Sequence, residues 1–174
     1  MNDQIQDIAY RLNTRSGVVI DARAAEPGDE TALEAFFDKV SDEDRRFRFL
    51  TAHRHVGHEQ LKPMVEVDHF RSETFLAFDD ANNELVATGM LACDNDLDTA
   101  EVAISVRADY KGKGVAWAVL GLLAEEAKKR GVREVISIED RDNHEAIALE
   151  RERGFVPRAC EGDAHLVILA KTLR

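Results

Sequence analysis

Apolar residues along this chain follow two spacings, and the alternation between them predicts its elements. Short runs rich in β-branched residues at 17–23, 73–78, 85–93, 100–106, 135–138, 155–156 and 166–169 read as strands. Leu33, Phe36, Phe37 and Val40 recur instead at helical spacing, over about 29–40, behind the break Pro27-Gly28-Asp29. Ser41 with Asp44 supplies an S-x-x-D start for a second helix through Phe49. Its arginines and phenylalanines interleave, so either Phe47 is buried under arginine stems or this face walls a binding mouth. A longer helix over about 114–130 places Val115, Val119, Leu122, Leu123 and Ala127 on one stripe, and Gly131 ends it. Trp117 near its start reads as a packing residue. Asn143 or Asp142 caps a last helix to about Arg153, and Gly154 stops it. Residues 1–16, polar with scattered apolar positions, read as a terminal arm before a single domain at 17–174. Strands following one another around one β-turn-α unit predict an α+β fold, a mixed, mostly antiparallel sheet flanked by helices.

That central unit holds the candidate chemistry. In the strand 100–106, alternation puts Val102, Ile104 and Val106 on one face and Glu101, Ala103 and Ser105 on the other. The second face is small and polar, which suits a cleft wall. The strand runs into Lys111-Gly112-Lys113-Gly114-Val115-Ala116. Two glycines spaced one apart let a phosphate oxygen reach the backbone, and the unpaired N–H groups of the helix start favour an anion. A Walker loop would require G-x-x-x-x-G-K-S/T, which is absent. A dinucleotide fingerprint would require a third glycine or alanine where Trp117 stands, and βαβ units where hairpin strands stand.

Charge and composition narrow the partners. The 174 residues carry a formal net charge of −11, which argues against nucleic acid and anionic membrane surfaces and favours a cationic substrate. No apolar run reaches the roughly 20 residues that span a bilayer, and the polar start Met1-Asn2-Asp3-Gln4 has no signal pattern. Cys93 and Cys160, far apart, read as free thiols of a cytoplasmic protein. His53, His55, His58 and His69 crowd one stretch, but no cysteine is near, and they read as solvated loop or helix-end residues rather than metal ligands. Asp94-Asn95-Asp96 opens like a calcium loop but lacks its glycine and its closing glutamate, with Thr99 and Ser105 in those places. No metal is expected.

The order of elements and the glycine turn together resemble the GNAT superfamily of acyl-CoA-dependent N-acyltransferases. Its signature opens with Gln or Arg and continues x-x-G-x-G/A. Here Lys111 leads and Gly114 and Ala116 follow, which keeps a positive donor in front. Within the superfamily, Ala100-Glu101-Val102-Ala103 with Val106-Arg107-Ala108-Asp109-Tyr110-Lys111-Gly112-Lys113-Gly114 is similar to the catalytic domain of bacterial protein-lysine acetyltransferases. Asn143, Ala146, Leu149 and Gly154-Phe155 match downstream, so the resemblance covers nearly all of the chain after about residue 16.

The resemblance implies acetyl-CoA as co-substrate and a primary amine, a protein lysine first, as acceptor. The backbone of Ile104 and Val106 would pair with the pantetheine arm, the amide of Val106 could polarise the thioester carbonyl, the turn Lys111 to Ala116 would hold the pyrophosphate, and Asn143 would contact the cofactor. A lysine amine of pKa about 10.4 is neutral only about 0.04% of the time at pH 7, a deficit near ~4.6 kcal/mol. Glu101 is the candidate base. The family often carries a tyrosine general acid seven residues after the asparagine; Glu150 stands there and reads as solvated helix surface beside Arg151, Glu152 and Arg153. Tyr110 is a conceivable substitute. Two other functions stay open: acetylation of a small amine (polyamine, amino acid or aminoglycoside), and a non-catalytic acyl-CoA-sensing module, which the missing tyrosine favours.

Overall fold

In the computed structural model, which describes residues 10–49 and 55–174, these patterns become eight strands and five helices. Their order is β1 (Tyr10–Asn13), β2 (Val19–Ala24), α1 (Glu30–Asp38), α2 (Asp42–Phe49), α3 (His58–Val65), β3 (Ser72–Asp79), β4 (Leu85–Cys93), β5 (Thr99–Val106), α4 (Val115–Lys129), β6 (Glu134–Asp140), α5 (His144–Glu152), β7 (Val156–Ala159) and β8 (Leu166–Thr172). All eight strands join one sheet in the order β1-β2-β3-β4-β5-β6-β8-β7. Neighbours are antiparallel throughout except β5 and β6, which run parallel because α4 carries the chain back between them. The expected α+β, mostly antiparallel architecture is the one found.

Each face of the sheet is covered by a different set of helices. On one, Leu33, Phe36 and Phe37 of α1 and Leu61 and Met64 of α3 close over Leu76. On the other, Val115, Val119, Leu122, Leu123 and Ala127 of α4 bury against Val86, Leu91, Val102 and Val135. Burying one such side chain fully contributes about 1.5–3 kcal/mol, so the two cores fix the sheet between its helices. No described helix is long and apolar enough to cross a membrane.

Two segments depart from the sequence reading. The arm 1–16 contains β1, which pairs with β2 from Tyr10↔Ala22 to Asn13↔Val19. Its polar composition conceals an aromatic anchor: the Tyr10 ring meets Phe75 edge-on at 5.9 Å, with the Lys129 ammonium 5.0 Å from its centroid. Helix α3 forms in the histidine-rich stretch despite Pro63 inside it, because Leu61, Met64 and Val65 are all buried there. His53 lies outside the described residues. His55 faces Glu34 and Asp38 at 3.3 and 3.2 Å, His58 pairs with Glu30, and His69 with Glu73 at 2.8 Å. Among the described residues, no group of three or more His, Cys, Asp or Glu side chains is placed to hold a metal.

The contact of α4 with β4 is set by Gly89, where an added Cβ would sit 2.7 Å from Val119 Cγ1 and 3.2 Å from a Leu123 methyl. Neither side chain can retreat within a packed core. Gly89→Ala is therefore expected to destabilise the fold by about 1–3 kcal/mol, seen as a lower urea midpoint with an unchanged slope; an unchanged midpoint would show that this contact is looser than its geometry.

Candidate active site

The site begins where strand pairing stops. β5 bonds to β6 over only three residue pairs, Thr99–Glu101 with Glu134–Ile136, although β5 continues to Val106 and β6 to Asp140. On their outer sides both strands stay fully paired, β5 with β4 and β6 with β8. The strands thus part, and a cavity of about 450 Å³ occupies the opening, within the usual range for a small-molecule site. Its walls are β5 from Glu101 to Val106, β6 from Ser137 to Asp140, the start of α4, one side of α5, and Asp44, Phe47 and Arg48 of α2. Helix α2 is a wall of the mouth as well as a packing element.

At one end the turn between β5 and α4 is clamped in shape. The Arg107 side chain, buried, donates to both carboxylate oxygens of Asp109 at 2.7 and 3.0 Å and to Glu84 at 3.1 Å, and its guanidinium lies 4.9 Å from the Tyr110 ring centre. Asp109, and then Glu84, hold its pKa above the usual arginine value. The Tyr110 hydroxyl donates to Asp79 at 2.6 Å and accepts from Asn82 at 3.1 Å. The Asp79 bond pushes the Tyr110 pKa up and the Asp79 pKa down, so Tyr110 secures the turn and its proton is committed there.

Gly112 and Gly114 have φ of 76° and 79°, a left-handed conformation that favours glycine. Gly114 is also the N-cap of α4, and an added Cβ there would lie 3.4 Å from the Arg15 backbone nitrogen. The helical ladder opens with Ala118 N–H donating to the Gly114 carbonyl, so the N–H groups before it have no partner within the helix. Gly112, Gly114, Val115 and Ala116 present this end of α4 to the cavity. Residues 14–16 brace the turn from behind, with Ser16 Oγ donating to the Lys113 carbonyl at 2.7 Å. Trp117, read as a packing residue, is held between two guanidinium groups, those of Arg15 and Arg153, each 4.1 Å from its ring centre.

The charged groups of the lining are mostly acidic. Asp44, Glu101, Glu139, Asp140, Glu145 and Glu150 line the cavity against two cations, Arg48 and Lys111. Both cations are engaged. Lys111 Nζ bridges Asp44 at 2.7 Å and Glu145 at 3.0 Å; burial works against its charge, but these carboxylates outweigh it and raise its pKa. Burial lowers the Arg48 pKa, opposed by Glu101 and Glu139, and its Nη2 lies 2.8 Å from Met90 Sδ. Glu101 itself is exposed at the cavity's edge.

The sequence-derived candidates Glu101, Ile104, Val106, Lys111, Gly112, Gly114, Val115, Ala116 and Asn143 all line this one cavity. Lys113 does not; its ammonium lies 5.0 Å from the Tyr110 ring centre. Asn143 has two further tasks, capping α5 by accepting from Ala146 N–H at 3.4 Å and donating to Glu139 at 3.3 Å.

Glu150 requires a correction. It is not solvated surface: it is only 6% exposed and faces the cavity beside Glu139. The charged run around it suggested an outward face, but the spacing 143, 146, 147, 150 places it on the inner side of α5, one turn beyond Ala146 and Ile147. Burial, and next the Glu139 carboxylate, push its pKa up to about 9. Sequence reasoning also passed over Ser137 and Glu139, whose side chains bond at 2.8 Å across one turn of the pleat.

Comparison with known proteins agrees with this architecture. The acetyltransferase (GNAT) family profile matches residues 32–155, from α1 to the start of β7. An acetyltransferase of Pseudomonas aeruginosa is 26% identical over 143 residues, covering 80% of this chain and 76% of that protein. The GNAT domain of S. lividans PAT superposes with a TM-score of 0.87 at 24% identity, over 95% of this chain and 97% of that one. The Salmonella typhimurium protein yncA, solved with its cofactor acetyl-CoA, superposes with a TM-score of 0.70 at 15% identity, over 89% and 94% of the two chains. With the family profile spanning well over half of its length, the chain belongs to the GNAT acetyltransferase family and is an acyltransferase that uses acetyl-CoA.

Proposed function

We propose that this acetyltransferase modifies a cationic primary amine, a protein lysine side chain first, by direct transfer within a ternary complex. The observation that carries the acceptor class is the cavity wall, where six carboxyl groups face two cations already bonded or buried. An ammonium-bearing acceptor is drawn to such a wall and an anionic one repelled. The string from Ala100 to Gly114 favours a protein lysine over a small amine by its resemblance to protein-lysine acetyltransferases.

The residues present fit acetyl-CoA. The edge of β5 beyond Glu101 has no strand partner, which suits the amide-bearing pantetheine arm added like a strand along Ile104 and Val106. The start of α4 suits the pyrophosphate, held by the amides of Gly112 to Ala116. Asn143 flanks the arm from α5, and the Val106 amide is placed to polarise the carbonyl. When bound, acetyl-CoA supplies an activated acyl group. Glu101 takes the proton of the incoming ammonium, directly or through one water, and so supplies the neutral amine that attack requires. The free thiols Cys93 and Cys160 are consistent with a reducing, cytoplasmic setting.

Glu101→Gln is expected to lower kcat at pH 7 by about 10²- to 10⁴-fold while acetyl-CoA affinity by calorimetry stays within about twofold. Unchanged turnover would remove Glu101 from the base role. The acceptor is tested separately, by following free-thiol release with lysine-containing peptides beside polyamines, amino acids and aminoglycosides. The peptides are expected to be turned over with the higher kcat/KM; preference for a small amine would transfer the same chemistry to that substrate class.

A further inference from the structure

Of the acidic side chains that line the cavity, Glu150 is the buried one, and the scheme above gives it no step of its own. Glu150 is 6% exposed on α5, and its Oε2 is fully buried with no hydrogen-bond partner among the described residues. A buried oxygen without a partner is costly for a structural residue, by about 1–3 kcal/mol, and an ionised one costs more. The groups facing it do not supply a cation. From β6 come Ser137 and Glu139, joined to each other at 2.8 Å, and Asn143 on its own helix donates to Glu139 at 3.3 Å. Arg48, across the cavity on α2, feels the charges of Glu101 and Glu139 and reaches Met90 Sδ at 2.8 Å. Arg153, one turn further along α5, is turned away onto Trp117, whose carbonyl it reaches at 2.8 Å. Glu150 also bonds Glu139 and Ser137, but with one oxygen buried and unbonded beside a second carboxyl group its charged form is disfavoured.

We propose that Glu150 is the proton donor of the transfer reaction, delivering its carboxyl proton to the departing sulfur. This rests on the reading of the cavity as the acetyl-CoA site. As the carbon–nitrogen bond forms and the carbon–sulfur bond breaks, the bonding pair leaves with sulfur, which takes the Glu150 proton. Glu101 has taken the ammonium proton and passed it to solvent, and it takes the second N–H proton as the adduct collapses to the amide; that proton too goes to solvent, from which Glu150 is reprotonated, so the sum is ammonium plus thioester giving amide, thiol and one proton. The proton affinities match: burial and Glu139 raise the Glu150 pKa to about 9, close to the ~8.5 of a free thiol. Transfer between groups so matched is nearly thermoneutral, the condition under which general acids work best.

The test compares wild type with Glu150→Gln, which keeps the shape and removes the acid. Hydroxylamine serves as the probe acceptor, because it is already neutral at pH 7 and needs no deprotonation by Glu101 before attack. Infrared spectroscopy at pH 7.5 is expected to show a protonated carboxyl band in wild type that the variant lacks and that disappears as pH rises through about 9. With hydroxylamine, kcat of wild type should fall above that pH, whereas the variant should be roughly 10- to 100-fold slower, without this limb, and should bind acetyl-CoA with unchanged Kd. An ionised Glu150 at pH 7.5, or a variant with the wild-type kcat and high-pH limb, would overturn the proposal. Weaker acetyl-CoA binding at unchanged kcat would overturn it in favour of a binding role. If wild type shows the band but does not bind acetyl-CoA, the reading of the cavity fails, and the donor role with it.

Discussion

Three residue pairs of parallel ladder tie β5 to β6 before the strands separate, and the candidate site residues are arranged around the opening that follows. A sheet interrupted in its middle must satisfy the backbone groups it leaves unpaired, and a bound extended ligand can do so. The separation is tolerable because the outer edges do not share it: β5 stays registered on β4 over seven pairs, from Ala87↔Val106 to Cys93↔Ala100, and β6 on β8 over another seven. Two well-paired half-sheets, joined by one core beneath α4, hold a gap between them. Local rigidity is what makes the gap a site. The Arg107–Asp109–Glu84 cluster and the Tyr110–Asp79 bond fix the turn at the gap's edge, so the amides at the start of α4 are oriented before any ligand arrives.

Electrostatics then shape the cavity. The helix start offers partial positive charge from the backbone, which needs no ionisable side chain. Among the lining side chains carboxylates outnumber cations, and both cations are committed, Lys111 of the turn between Asp44 and Glu145 and Arg48 against Met90. Across this wall the environments of two glutamates diverge. Glu101 is exposed at the rim and Glu150 is enclosed beside another carboxyl group, a difference of environment that suits the opposite proton-transfer roles proposed for them without any change of residue type.

Much of this was legible in the chain itself. The strands, the amphipathic α1 and α4, and the turn followed from periodicity and glycine placement, and nine of the ten nominated residues line one cavity, since a β-turn-α unit keeps neighbours in sequence together in space. What escaped notice depends on long-range contact. β1 is recruited by Phe75, far along the chain, and α3 by a core that compensates for Pro63. Glu150 was misread because a short helix flanked by charges has no clear apolar stripe. Its burial is decided by β6, whose Ser137 and Glu139 no local pattern in α5 could announce. Similarly, Lys111 reads as a free cation until α2 and α5 fold against it.

The most direct measurement is a crystal structure of the chain with acetyl-CoA bound. The geometry described above predicts the pantetheine arm along β5 between Ile104 and Val106, the pyrophosphate on the amides of Gly112 to Ala116, and the sulfur within reach of Glu150, with the acetyl group open to Glu101. An acetyl-CoA molecule seated outside the β5–β6 opening, or one whose sulfur points away from α5, would contradict it.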